Sequence, residues 1–237
     1  MATLTAVIRD LREQWDLLRA WLEELPDPAS AEPSTLPGWS IGVLVAHLGR
    51  NLSATSAAVV TTPEEGETVN SIAEYVALYR TVDPARIDRN SHAFAAEIAA
   101  DPLERLDELA TQACARLDAL AGEPETTVVR SRNGDLIGLT DFLRTRLIEM
   151  VVHAYDLAPA LPLPSPVDPT ARTIVAEALL EILSERTGDR LEVGDPEAWI
   201  LAATGRIDWP CAVGRGAVRP LEVSDGTPDL TPSLPLL

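Results

Sequence analysis

Four long stretches of this chain repeat apolar residues every three or four positions, and that spacing fixes most of what it can fold into. In residues 3–25, Leu4, Ile8, Leu11, Trp15, Leu18, Trp21 and Leu22 share one helical face, and Asp27-Pro28 ends the run. The second stretch, 41–60, follows Leu36-Pro-Gly-Trp-Ser40, where Pro37-Gly38 signals a turn and Ser40 suits an N-cap; its stripe is Ile41, Leu44, Val45, Leu48 and Leu52. The third, 102–121, has Asp101 as cap and Pro102 at the first helical position, with Leu106, Leu109, Ala113, Leu117 and Leu120 inward and Gly122 and Pro124 as stops. The fourth, 141–158, has Thr140 in the capping position. Helices of this length bury their stripes against one another, so the pattern predicts a mainly α protein built on a four-helix bundle.

The intervening sequence is less regular. Residues 61–69 are polar, with Pro63 and Gly66, and read as a loop; shorter helices are expected at 71–80 and 84–99. Thr127–Arg132 and Asp135–Gly138 flank Asn133-Gly134, the signature of a small hairpin around a type I′ turn. Leu161-Pro-Leu-Pro-Ser-Pro166 reads as a stiff linker, which suggests a bundle over 1–161 and a smaller C-terminal unit over 168–237. That unit is expected to hold a helix at 168–186, a short helix from Pro196 to Gly205, a strand at Ala217–Val223 and an irregular Pro/Leu-rich tail after Gly226.

The net charge is −18, and all 19 basic residues are arginine. No basic stripe is present to meet a phosphate backbone, so nucleic acid is not an expected partner. No run approaches the roughly 18 apolar residues of a membrane span, and the N-terminal residues do not read as a secretory leader, so the expectation is a cytoplasmic protein with no membrane partner, a monomer or homodimer. Cys114 and Cys211 lie far apart with no metal-binding spacing; Cys114 sits in an apolar helical pattern and reads as a buried thiol.

The residues that carry chemistry centre on Arg146-Leu-Ile-Glu-Met-Val-Val-His153-Ala-Tyr-Asp156-Leu. Glu149 and His153 are four residues apart and so share a helical face. Glu-x-x-x-His alone also occurs on many solvated helices. Three histidines are available in all: His92, in Arg-Asn-Ser-His-Ala-Phe, reads as a surface or packing residue, whereas His47 lies beside the apolar stripe of the second helix and points inward. His47, Glu149 and His153 together would make a His₂Glu donor set with an open fourth position, suited to zinc and also to nickel, cobalt or iron. Arg146 and Asp156 would share the ligand face, Asp156 to orient an imidazole and Arg146 to hold an anionic group or the far oxygen of Glu149. Asn51, four residues after His47, would enter the same cavity.

Pro37-Gly-Trp-Ser, Val45-Ala-His47-Leu and, about a hundred residues on, Arg146-x₂-Glu149-x₂-Val-His153-x₂-Asp156-Leu resemble the mycothiol-dependent maleylpyruvate isomerase family, a branch of the DinB-like bundles. The resemblance covers residues 1 to about 160 and implies a divalent metal, usually zinc, held by His47, Glu149 and His153, with mycothiol as thiol cofactor. It also implies a small C-terminal α/β domain carrying a late Gly-Arg that serves the active site. Gly205-Arg206 resembles that element and Gly214-Arg215 competes with it; strand-forming residues are nearly absent between Arg186 and Trp199, so the domain reads as abbreviated. The implied activity is cis–trans isomerisation of a small unsaturated acid through thiolate addition. Arg146 and Arg206 would be the cations for a carboxylate substrate, with Arg50 a further one, and Arg50 and Asn51 would face the cofactor. A thiol S-transferase acting on an electrophilic small molecule uses the same first step. A metal hydrolase with Asp156 as base, or a non-catalytic metal-binding bundle, would use the same ligands.

Overall fold

The computed structural model describes residues 2–221 and 227–237. Among them are nine α-helices: α1 (Leu4–Glu23), α2 (Ile41–Ser56), α3 (Ile72–Ala77), α4 (Pro84–Glu97), α5 (Pro102–Leu120), α6 (Leu139–Leu157), α7 (Pro169–Thr187), α8 (Pro196–Ala203) and α9 (Trp209–Gly214). Six short strands accompany them: β1 (Val59–Thr61), β2 (Val69–Asn70), β3 (Val128–Arg130), β4 (Leu136–Gly138), β5 (Leu191–Val193) and β6 (Val218–Pro220). The fold is mainly α, a four-helix bundle of the DinB-like kind with a small C-terminal α/β region.

The bundle is α1, α2, α5 and α6, the four stretches with helical periodicity. The stripe of α1 is buried from Leu4 through Leu22, and Leu44, Leu48, Leu106, Leu120, Leu143 and Leu147 are almost wholly enclosed. At roughly 1.5–3 kcal/mol for each large apolar side chain taken out of water, this burial is the main force holding the helices together. Gly49 permits the tightest contact, since a Cβ there would stand 3.0 Å from the Phe94 ring and 3.4 Å from both Leu106 and Leu109. The helix carrying His47 thereby lies close against α4 and α5. Ser40 and Asp101 cap α2 and α5 through their side chains, as their positions predict.

Several local expectations are corrected. α2 stops at Ser56 rather than near residue 60, because Val59–Thr61 pairs antiparallel with β3. The loop expected at 61–69 ends in β2, which runs parallel to β4 and completes a four-stranded sheet in the order β1-β3-β4-β2. The hairpin exists, but its turn is not type I′: a type I′ turn needs positive φ at both central residues, and only Gly134 has it, at 96°. Ser131 O accepts from Gly134 N, and Ser131 N donates to Asp135 O, which is a three-residue connection closed by a left-handed glycine. Thr140 does not cap α6. β4 feeds directly into the helix with Gly138 at the cap, and Thr140 Oγ1 donates instead to Glu125. The helix expected over 71–80 is α3 followed by a 3₁₀ turn at Leu78–Thr81. Cys114 is half-buried rather than enclosed.

The C-terminal region does contain a strand between Arg186 and Trp199. Leu191–Val193 pairs antiparallel with Val218–Pro220, a pairing too short to show as alternation. Of the strand expected at Ala217–Val223, residues 218–220 form β6, and Glu222 and Val223 lie outside the described residues. The short helix expected from Pro196 is α8, and α9 was not legible. The region packs on the bundle through α7, which contacts α1, α3 and α6. Buried Arg144 of α6 bonds Glu181 of α7 at 2.6 Å and Asp141 at 2.7 Å. The proline linker is clasped by buried Gln14, whose amide donates to Pro166 O at 2.7 Å and accepts from Asp168 N at 3.0 Å.

Candidate metal centre

The apolar stripe of α2 puts His47 on the side facing α6, and the i, i+4 spacing on α6 stacks Glu149 under His153. The result is the convergence expected of the three residues: one ligand atom from each lies within 4.8 Å of the others. Glu149 Oε2 is 3.4 Å from His153 Nε2 and 3.7 Å from His47 Nε2. Each imidazole is held through its other nitrogen. His153 Nδ1 lies 2.9 Å from Asp156 Oδ2, and His47 Nδ1 lies 3.2 Å from Ser91 Oγ. Both Nε2 atoms are thereby aimed at the carboxylate, the orientation a metal ligand needs, and Asp156, an acceptor only, favours a proton on His153 Nδ1. The Trp39 ring, its centroid 5.1 Å from that of His47, closes one flank. Two imidazoles and one carboxylate converging with their outer nitrogens occupied fit a divalent metal of the zinc, nickel, cobalt or iron type.

Burial alone would raise the Glu149 carboxyl, but hydrogen bonding to His153 and His47 and the charge of Arg146 hold it well below the usual carboxylate range. Burial lowers His47, so near neutral pH these two are in their ligating forms. His153 goes the other way: burial is outweighed by Asp156 and Glu149, which raise it.

Behind His153 stands a relay into the C-terminal region. Arg206, just after α8, donates from Nε to Asp156 Oδ1 at 3.1 Å and from a terminal nitrogen to Oδ2 at 2.7 Å. Burial would lift the Asp156 carboxyl, yet His153 and Arg206 bring it down to about 2. Thr35 Oγ1 also reaches Asp156. Of the two competing arginines, Arg206 is the one at the site; Arg215 pairs with Glu197 at 3.1 Å within the C-terminal region. The Arg206 guanidinium is engaged by Asp156 and by the Thr204 carbonyl, and it does not line the cavity beside the ligands. Replacing Asp156 by asparagine should keep the fold and weaken metal binding by about 10–100-fold, as loss of an outer partner of a ligand histidine typically does. Competition with a chelator measures this, and unchanged affinity would show that His153 is oriented without Asp156.

That cavity has a volume of about 520 Å³ and opens beside His47 and Glu149. Arg146 and Asn51 are both in its wall. Arg146 donates to Asn51 Oδ1 at 3.1 Å, to the Tyr79 hydroxyl and to Thr145 Oγ1, and Asn51 returns a bond to the Arg146 carbonyl at 3.0 Å. The guanidinium carbon also lies 5.5 Å from the centre of the Phe142 ring. Arg50 lines the cavity too. Burial raises the Tyr79 hydroxyl to about 12, so it stays protonated. His92 is exposed and pairs with Asp88 at 3.4 Å, away from the centre. Ser91 and Tyr79 were not foreseen from local pattern. Ser91 lies on α4, a helix with no clear apolar stripe, and Tyr79 lies in a 3₁₀ turn, so neither has a spacing that relates it to a ligand.

A helical bundle with an inward His₂Glu set on two facing helices and a cavity at its open side defines the class: a bundle built around a candidate catalytic metal centre. Residues 11–158 match the family model described as the mycothiol maleylpyruvate isomerase N-terminal domain, and the chain belongs to that family. No curated protein and no solved structure matches the chain. No helix of the described residues is long and apolar enough to cross a membrane.

Proposed function

We propose that the protein is a metal- and mycothiol-dependent isomerase that converts a cis unsaturated acid of the maleylpyruvate type to its trans isomer. The observation that carries this reading is the open donor set of His47, Glu149 and His153 at the wall of a cavity with fixed Arg146 beside it. The three residues would hold a divalent metal, and zinc is the one to use in the test. Such a metal supplies acidity: a thiol with an ordinary pKa of about 8.5 is deprotonated when bound to it. The chain's own residues do the rest. Ser91 and Asp156 keep the two imidazoles in register, and Arg206 holds Asp156. Arg146, immobilised by Asn51, Tyr79 and Thr145, presents a positive charge where a substrate carboxylate would lie, at no cost in reordering its own long side chain. The protonated Tyr79 hydroxyl is a donor on the same wall. The bundle core behind α2 and α6 keeps water from the inner face of the ligands.

The test is incubation of zinc-loaded protein with mycothiol and maleylpyruvate, followed by mass spectrometry and proton NMR. The expected outcome is the trans isomer with thiol recovered unchanged. A stable thiol adduct would instead make the protein an S-transferase, and no reaction in the presence of bound zinc would reject both.

A further inference from the structure

The cavity beside His47 and Glu149 is also lined by three arginines that the candidate centre does not use. Arg50 lies on α2, one turn beyond His47; Arg86 is in the first turn of α4; Arg132 is in the turn between β3 and β4. Three separate elements thus bring guanidinium groups to one cavity of a chain whose net charge is −18. None of the three has a carboxylate within 4.0 Å among the described residues. Arg132 donates to Ser53 Oγ at 2.9 Å, while the Arg50 and Arg86 side chains make no hydrogen bond or ion pair with any described residue. This contrasts with Arg19, Arg130, Arg144, Arg206 and Arg215, each of which has an acidic partner. The adjoining recess carries Asp83 and Asp135, and Asp83 is turned to Arg89. Burial, reinforced by the charges of Arg132 and Arg86, pushes the Arg50 guanidinium below its ordinary value, so these cations repel one another.

A second observation comes from the same cavity. Ser131 is 7% exposed and lines the cavity, and its hydroxyl has no hydrogen-bond partner. A buried hydroxyl left unpaired is destabilising, and a cluster of like charges adds to that cost, so the arrangement is one that an anion would complete. Carboxylates are well matched: they accept from guanidinium in a planar fork and from a hydroxyl at the same time.

We infer that Arg50, Arg86, Arg132 and Ser131 form an anion subsite, separate from the metal ligands and from Arg146, that takes a carboxylate of the ligand. This rests on the reading of the cavity as the substrate site and divides the two carboxylates of a maleylpyruvate-type acid between Arg146 and this subsite. It also makes the β3–β4 turn a determinant of which acid is accepted, because Arg132 and Ser131 both sit there.

Calorimetric titration of the full-length chain with maleate and, separately, with inorganic phosphate at low ionic strength tests this. The titrations are made on zinc-loaded and on chelator-treated protein. Maleate is expected to bind both forms. Arg50→Gln and Arg132→Gln should each weaken it about tenfold or more, the usual loss for a hydrogen bond to a charged group. Arg190→Gln, the same charge change at an exposed position outside the cavity, should leave it within about twofold, since exposed charges far from a site are screened. Circular dichroism and zinc content should be unchanged in all three variants. Equal maleate affinity in the parent and in both cavity variants overturns the subsite, as does the absence of maleate binding. Phosphate binding without maleate binding overturns the carboxylate assignment. The result is separable from the proposed activity: anion binding to metal-free protein does not depend on turnover, and failure to isomerise maleylpyruvate leaves the titration unaffected.

Discussion

Replacing His153 by alanine should release the metal. The variant loses one of three ligands outright, so its affinity for zinc is expected to fall by more than the roughly 10–100-fold that loss of an outer partner costs. Elemental analysis after dialysis against a weak chelator reads this directly. His47→Ala should behave the same way, because its Nε2 faces the same carboxylate oxygen from the opposite helix. Full zinc occupancy in His153→Ala would remove the site as described. Acid should act in the same direction in the unmutated protein. With His153 raised by Asp156 and Glu149, its proton competes with the metal, so zinc retention should rise with pH and fall as His153 protonates. The acidic partners that raise His153 in the metal-free protein are also the groups that hold its ring for ligation.

The second large effect is expected in the C-terminal region. Trp199 is fully buried on α8, and its indole nitrogen donates to the Ala176 carbonyl of α7 at 3.0 Å. Trp199→Ala leaves a cavity and removes that donor, and should cost about 3–5 kcal/mol in urea unfolding. Trp199→Phe keeps most of the ring and should cost clearly less. The alanine variant should also bind metal more weakly even where it remains folded. α8 ends at Ala203, and Arg206 follows three residues later, so loosening the helix loosens the bond from Arg206 to Asp156. A Trp199→Ala protein with parental stability would show that α8 contributes little to the fold.

Much of this molecule was legible in the chain because its main elements are long. α1, α2, α5 and α6 each repeat their apolar residues over at least four turns, and Ser40 and Asp101 cap as their side chains suggest. The ligand pair was legible for the same reason: once α6 is a helix, Glu149 and His153 must share a face. His47 could be joined to them because it borders the apolar stripe that turns α2 inward. The strands were less legible. β1, β2 and β5 are two or three residues long, and such runs carry no periodicity of their own; pairing with a partner decides them. Thr140 illustrates a different limit. A residue of good capping chemistry lost the position because β4 runs straight into α6, so Gly138 is where the helix starts. Ser91, Tyr79 and the Arg206–Asp156 bond depend on how separate elements pack, and local pattern does not encode that.

The bond from Arg206 to Asp156 also has a bearing on where the protein's working unit ends. It spans 50 residues and joins a side chain inside the matched family segment, 11–158, to one outside it. The bundle supplies every atom of the candidate donor set, yet the anchor behind one of them comes from a region with its own short strands and helices. Comparing bundles alone therefore ranks relatives by which metal donors they possess. How firmly those donors are held is written further along the chain, outside the matched segment. Two relatives with the same ligands could thus differ in metal hold through changes that never touch the bundle.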